Sequence, residues 1–213
     1  MKKGAVVTYI RMFALAVLSG LAIGVGGSVY LLTENKIVGA LMFTVGLYTI
    51  CTQQFNLFTG KVGYLVENKP SYLFDLLIIW LGNFAGVYLM ALCMTFTRAG
   101  EGLAKTAQAL CEVKMNDGLL SLFILGIFCG MLMFVAVDGF KKTNGNPVIL
   151  FLCVAGFILC GFEHCIADMF YFSIAGMWSW EALGRILLIT LGNSLGGILI
   201  LLVKKIPDNS AAK

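Results

Sequence analysis

The sequence predicts an all-α integral membrane protein of six transmembrane helices, built as an inverted 3+3 repeat whose second and fifth helices are broken. Three observations lead there. Of 213 residues, 60% are apolar and only 12% charged, with mean hydropathy +0.93, whereas a soluble domain carries about 25% charged residues. Long runs almost free of charge recur along the chain, and each is read as a helix because backbone groups in lipid must bond within their own segment. The third observation is an internal repeat, LGNxxG at residues 81–86 and again at residues 191–196. A soluble enzyme, a nucleic-acid binder and a disordered chain all fit this composition poorly. The net charge of +4 lies in the connections, where membrane orientation, not phosphate binding, places it.

Lys2 and Lys3 precede the first run, residues 12–32, which is long for a signal peptide and sufficient to span. The second, residues 37–60, meets Gln53, Gln54 and Asn56, then Leu57, Phe58, Thr59, Gly60 and Lys61, before a short apolar piece at 62–66. The third covers residues 76–96 and the fourth residues 119–137. The fifth, residues 148–180, is too long for one simple crossing and carries Glu163, His164 and Asp168 in its middle. Residues 186–203 form the sixth, so residues 1–213 read as one membrane domain.

The LGNxxG pair is offset by 110 residues, and the interruptions at Thr59 and His164 by 105. Two copies of three spans follow, and because three is odd the second copy enters from the opposite face. Broken helices meeting near the midplane of an inverted repeat are a transport architecture. With cytoplasmic termini, ten Lys and Arg lie inside (Lys2, Lys3, Arg11, Lys61, Lys69, Lys141, Lys142, Lys204, Lys205, Lys213) and five outside (Lys36, Arg98, Lys105, Lys114, Arg185), as the positive-inside rule expects for a multi-pass protein of the inner (plasma) membrane. Six of the seven cysteines sit in apolar runs and no CxxC occurs, so they read as reduced, buried thiols.

An ionisable residue inside a span is a functional candidate because placing it there costs several kcal/mol. His164, the only histidine, follows Glu163 and precedes Asp168 by one helical turn. A neutral imidazole bonded between helices is the plain alternative to a proton-handling group with a pKa near 6.5. One histidine without a cluster of ligands predicts no metal, haem or other cofactor. Thr59 is either local turn chemistry or the partner of His164 across the repeat. Phe43 and Leu47, spaced i,i+4, and Leu57 and Phe58 are constrictions or ordinary packing. Lys114 lies just before the fourth span.

The run Gly161-Phe162-Glu163-His164-Cys165-Ile166-Ala167-Asp168-Met169-Phe170 resembles the GFEHxxANMF signature of the formate–nitrite transporter family. Leu57-Phe58-Thr59-Gly60 and the two GN motifs are similar to that family's as well, over about residues 12–203. The resemblance implies an aquaporin-like fold, a homopentamer in lipid with one pore per protomer, and passage of formate, nitrite, hydrosulfide, acetate or related small monovalent anions together with protons. It implies His164 as the central pore histidine, Thr59 as the loop threonine facing it, and Glu163 as the acidic neighbour. Lys114 is implied as the vestibule lysine and Asn193 as the sixth-span asparagine. Phe43, Leu47 and Phe157 would form one apolar constriction, with Leu57 and Phe58 near the other. Two positions depart from the pattern: Gly130 stands where a fourth-span asparagine is usual, and Asp168 replaces the asparagine of the signature. A carboxylate one turn from His164 would favour an imidazolium. Residues 1–11 leave no room for a separate amphipathic helix before the first span.

The expected mechanism has Lys114 draw the anion in, a proton reach it at the Thr59/His164 site, and the neutral acid cross the apolar rings. A bare anion channel without proton coupling would use the same pore. A membrane enzyme would need ligands or a nucleophile with a base, and a scaffold would need no polar centre.

Overall fold

The computed structural model describes residues 3–206; Lys2, Lys213 and the terminal segments used in the orientation argument lie outside them. Among the described residues the elements are helical: α1 (Lys3–Leu32), α2 (Lys36–Thr52), α3 (Phe58–Lys61) running into a 3-10 turn (Val62–Glu67), α4 (Tyr72–Thr95), α5 (Gly100–Asn116), α6 (Leu119–Lys142), α7 (Val148–Leu159), α8 (Cys165–Ala175) and α9 (Trp180–Lys204). Four are long and apolar enough to cross a membrane: Val6–Leu32 within α1, then α4, α6 and α9. Helices α2, α7 and α8 are apolar but shorter.

Several boundaries move from those expected. Helix α1 starts at Lys3, so residues ahead of Met12 form its first turns. Helix α4 starts at Tyr72, and α6 continues to Lys142. A hydropathy run marks what lipid tolerates, whereas the hydrogen-bonded helix continues into the polar boundary, where Asp75, Lys141 and Lys142 are accommodated. The second run is not continuous to Gly60, since α2 stops at Thr52. Trp180 belongs to α9 and not to the preceding run. It follows Ser179, whose hydroxyl accepts the Ala182 N–H and caps the helix. The connection between α4 and α6 contains a full helix, α5, that hydropathy did not reveal.

The packing is that of helices in lipid, with leucines such as Leu77, Leu81 and Leu191 exposed outward and small residues between helices. Helices α1 and α4 cross backbone to backbone, as do α6 and α9. A Cβ at Gly86 would run into the Val17 carbonyl, and one at Gly196 into the Ile127 carbonyl. Gly130 belongs to the same class of contact: a Cβ there would collide with the backbone of Asn193. No side chain fits at that position on this backbone, so Gly130 is a helix-crossing residue.

Candidate functional site

Two non-helical stretches, residues 53–57 and 160–164, separate α2 from α3 and α7 from α8. Buried backbone there needs partners, and two asparagines supply them. Asn83 Nδ2 donates to the carbonyls of Ala16 and Asn56, both at 2.8 Å, while its Oδ1 accepts the Phe58 N–H at 2.8 Å. Asn193 Nδ2 donates to Gly126 and Glu163, again at 2.8 Å, and its Oδ1 accepts the Cys165 N–H at 2.9 Å. Each asparagine therefore ties one interruption to the helix pair beside it, and both are fully buried.

So held, the two interruptions face each other. Thr59 Oγ1 and His164 Nε2 lie 2.9 Å apart, with Thr59 wholly buried and His164 2% exposed. His164 caps α8: its Nδ1 accepts the Ala167 N–H at 3.1 Å. The ring proton therefore sits on Nε2, which donates to Thr59. The imidazole is a neutral donor, and the Thr59 hydroxyl keeps its own hydrogen for another acceptor. The Asp168 carboxylate, one turn from His164 along the chain, makes no bond to the imidazole, which stays neutral and not the imidazolium that an adjacent ionised carboxylate would favour. The Asp168 backbone N–H bonds the His164 carbonyl as the helix begins, while its carboxylate turns toward α5.

There Lys114, on the last turn of α5, is buried and serves two carboxylates. Its Nζ donates to Glu163 Oε2 and lies 3.0 Å from Asp168 Oδ1. Burial alone pulls the ammonium's pKa down. The neighbouring carboxyl groups of Asp168 and Glu163 more than reverse this, leaving it raised. Arg185 on α9 positions that end of α5, its guanidinium donating to the carbonyls of Lys114 at 2.9 Å and Asp117 at 2.8 Å.

Two cavities lie near the Thr59–His164 pair, one lined by His164 itself and the other by Leu57 and Gly60, the neighbours of Thr59 along the chain. The smaller, about 150 Å³, is lined by Lys114, Glu163, His164, Asp168, Phe157 and Tyr171 among others. The larger, about 560 Å³, is lined by Leu57, Gly60, Lys61 and Lys141, with Gln54 and Asn144. Phe157 stacks on His164 with ring centroids 5.7 Å apart and meets Phe43 edge-on at 5.8 Å. Phe43, Leu47, Leu57 and Phe58 are all buried. Beyond the larger cavity, Asp138 collects the Tyr64 hydroxyl at 3.1 Å, Lys142 at 2.7 Å and Lys204 at 3.3 Å.

The structure thus gathers Lys114, Glu163, Asp168 and His164 around one cavity, and brings Thr59 to His164. Asn193 stands behind them and supports the backbone. Sequence reasoning missed Asn83, although the GN repeat that marked Asn193 contains it equally. Arg185 and Asp138 carried no signal beyond their charge near a span end. Among the described residues no group of three His, Cys, Asp or Glu is arranged to hold a metal.

A helical membrane protein with a buried polar cluster around a cavity between broken helices is a channel or transporter by class. Residues 1–205 match the family described as formate/nitrite transporter, and the chain belongs to that family. It is 28% identical over 152 residues to the formate channel FocA of Haemophilus influenzae, a match covering 64% of this chain and 52% of FocA. It is 26% identical over 222 residues to the uncharacterized transporter YwcJ of Bacillus subtilis, covering 90% of this chain and 86% of YwcJ. Among solved structures it is similar to a pentameric formate channel with formate bound, with TM-score 0.80 and 25% identity over 96% of this chain and 97% of that one. These relatives are named as channels or transporters, not enzymes.

Proposed function

We propose that this chain is a plasma-membrane channel for small monovalent weak-acid anions of the formate, nitrite, hydrosulfide and acetate class, which it passes together with a proton. The reading takes residues 1–213 as one membrane domain of six crossings: α1, α2 with α3, α4, α6, α7 with α8, and α9. The second and fifth crossings are then broken, the two halves are inverted copies, and both termini are cytoplasmic. A homopentamer follows the solved relative, which is a pentameric channel, and the reading gives each protomer its own pore.

One observation carries the reading. The Thr59–His164 hydrogen bond of 2.9 Å joins the two interruptions near two cavities, with apolar side chains on either side. Lys114 draws the anion into the smaller cavity, and the anion gains its proton between Lys114 and the Thr59–His164 pair. It then passes Phe43, Leu47, Phe157, Leu57 and Phe58 as the neutral acid.

Magnitudes favour this order. Protonating a carboxylate of pKa about 4 at pH 7 costs about 4 kcal/mol. Carrying its bare charge through a dry ring costs several kcal/mol after relaxation, and ideally about 20. The test is reconstitution in liposomes holding a pH dye, with formate, nitrite, hydrosulfide and acetate added in turn. Internal acidification that tracks one anion and falls in His164→Asn, which loses the Nε2–H donated to Thr59, supports the reading. Current without acidification would identify a bare anion channel instead.

A further inference from the structure

Lys114 is the one cation of the smaller cavity, yet it faces two carboxylates. Glu163 Oε2 accepts its hydrogen bond, and Asp168 Oδ1 lies 3.0 Å from the same Nζ. With both acids ionised the trio carries a net negative charge in the space an anion must enter. With one proton added it is neutral, and the ammonium can receive an anion without opposing a surplus of negative charge. The trio is therefore built to hold a proton whenever an anion is present.

Three groups compete to carry that proton. His164 is committed at both nitrogens, Nδ1 accepting from Ala167 and Nε2 donating to Thr59. A second proton on the ring would break the cap of α8. Glu163 is the direct acceptor of the Lys114 ammonium, and its backbone carbonyl is tied to Asn193. Asp168 is 2% exposed, and its Oδ2 is buried without a hydrogen-bond partner. An ionised carboxylate oxygen in that state is costly, whereas a carboxylic acid that donates to an arriving anion is satisfied by it.

The surroundings offer no better candidate. Near Asp168 lie Lys114 and Cys111 of α5, Cys129 of α6, Glu163 just before α8, and Cys165 and Tyr171 of α8. Tyr30 of α1 and His164 line the same cavity, and no charged residue of α4 or α9 does.

We propose that Asp168 is the proton donor of this pathway, protonating a small anion held at the Lys114 ammonium and returning to that ammonium as carboxylate. In the step the carboxyl O–H bond of Asp168 breaks, an O–H bond forms on the formate or nitrite, and no electrons change hands. Water on the cavity side restores the proton to Asp168. The proposal rests on the function given above and assigns the source of the proton that it requires.

The experiment uses full-length protein in liposomes with an internal pH dye. Formate and nitrite are added at external pH from about 5 to about 8, with Asp168→Asn and Asp168→Glu beside the wild type. The wild type and Asp168→Glu should hold their initial rates within about threefold across the range. Asp168→Asn must wait for acid preformed in bulk, so its rate should fall about tenfold per pH unit while matching the wild type in acid. The infrared spectrum at neutral pH should show a protonated-carboxyl stretch in the wild type that Asp168→Asn lacks, a signature that a merely structural residue would not supply. An Asp168→Asn variant with the wild-type pH profile, or one losing flux equally at every pH, overturns the proposal. If the wild type acidifies the lumen with neither anion, the underlying function fails and takes the proposal with it. If it does acidify, only the part given to Asp168 is at stake.

Discussion

Asn83 and Asn193, 110 residues apart, make the same three hydrogen bonds. Each donates twice through Nδ2 to carbonyls and accepts once through Oδ1 from the first residue of a helix, Phe58 or Cys165. The asparagine is thus the part of each repeat that makes an interruption affordable in a buried place.

Replacing either asparagine by leucine leaves one N–H and two carbonyls without their partner. Each of Asn83→Leu and Asn193→Leu should cost about 2–4 kcal/mol, summing modest losses per bond. Thermal unfolding in detergent measures this. A large loss for one variant and none for the other would show that the two sites are not equivalent.

What was legible beforehand follows from cost. Thr59 and His164 stood out because polar residues in apolar runs are expensive, and their offset already linked them. Lys114 stands out only through the family resemblance, since residues 100–116 read as a polar connection and the burial of Lys114 arises only when α5 docks on α8. The direction of Asp168 is not legible in the sequence for a related reason. Spacing along α8 places it one turn from His164, but a carboxylate turns to the nearest buried cation, which comes from a different element. Gly130 read as a departure from a pore pattern, and only the backbone contact with Asn193 shows what the glycine is for. Arg185 looked like a loop charge until its two carbonyl partners appeared.

The hydroxyl of Thr59 accepts the His164 Nε2–H and, in the function proposed above, keeps its own hydrogen for the anion. Thr59→Val keeps the shape and removes both roles, so anion uptake should fall at least about tenfold, the value of about 1.4 kcal/mol. Thr59→Ser should retain most of the rate. Uptake in liposomes decides it, and equal rates for the valine and serine variants would make the hydroxyl irrelevant.

Helix crossings give a paired test at two positions on α9. Gly196 faces the Ile127 carbonyl so closely that a Cβ has no space, whereas nothing lies within 4 Å of a Cβ at Gly184. Gly196→Ala should push α9 from α6 and cost about 1–3 kcal/mol, as overpacking does. Gly184→Ala should instead be neutral or add up to about 1 kcal/mol by helix propensity. Unfolding midpoints that move the same way in both variants would refute the close crossing.

The Lys114 trio makes the sharpest energetic prediction, because its members are buried and mutually dependent. Lys114→Met removes the one cation from two carboxylates that are 5% and 2% exposed, and breaking a buried pair in this way costs about 3–5 kcal/mol. Most of that cost is the stranded negative charge and not the lost attraction. Adding Glu163→Gln and Asp168→Asn to Lys114→Met therefore removes the cause, and the triple variant should recover at least half of the lost stability. Transport should stay absent in it, since no cation remains to receive the anion. Denaturation of the single and triple variants in the same detergent separates the two effects. A triple variant no more stable than Lys114→Met alone would mean that the lysine stem, and not the charge balance, holds α5 against α8.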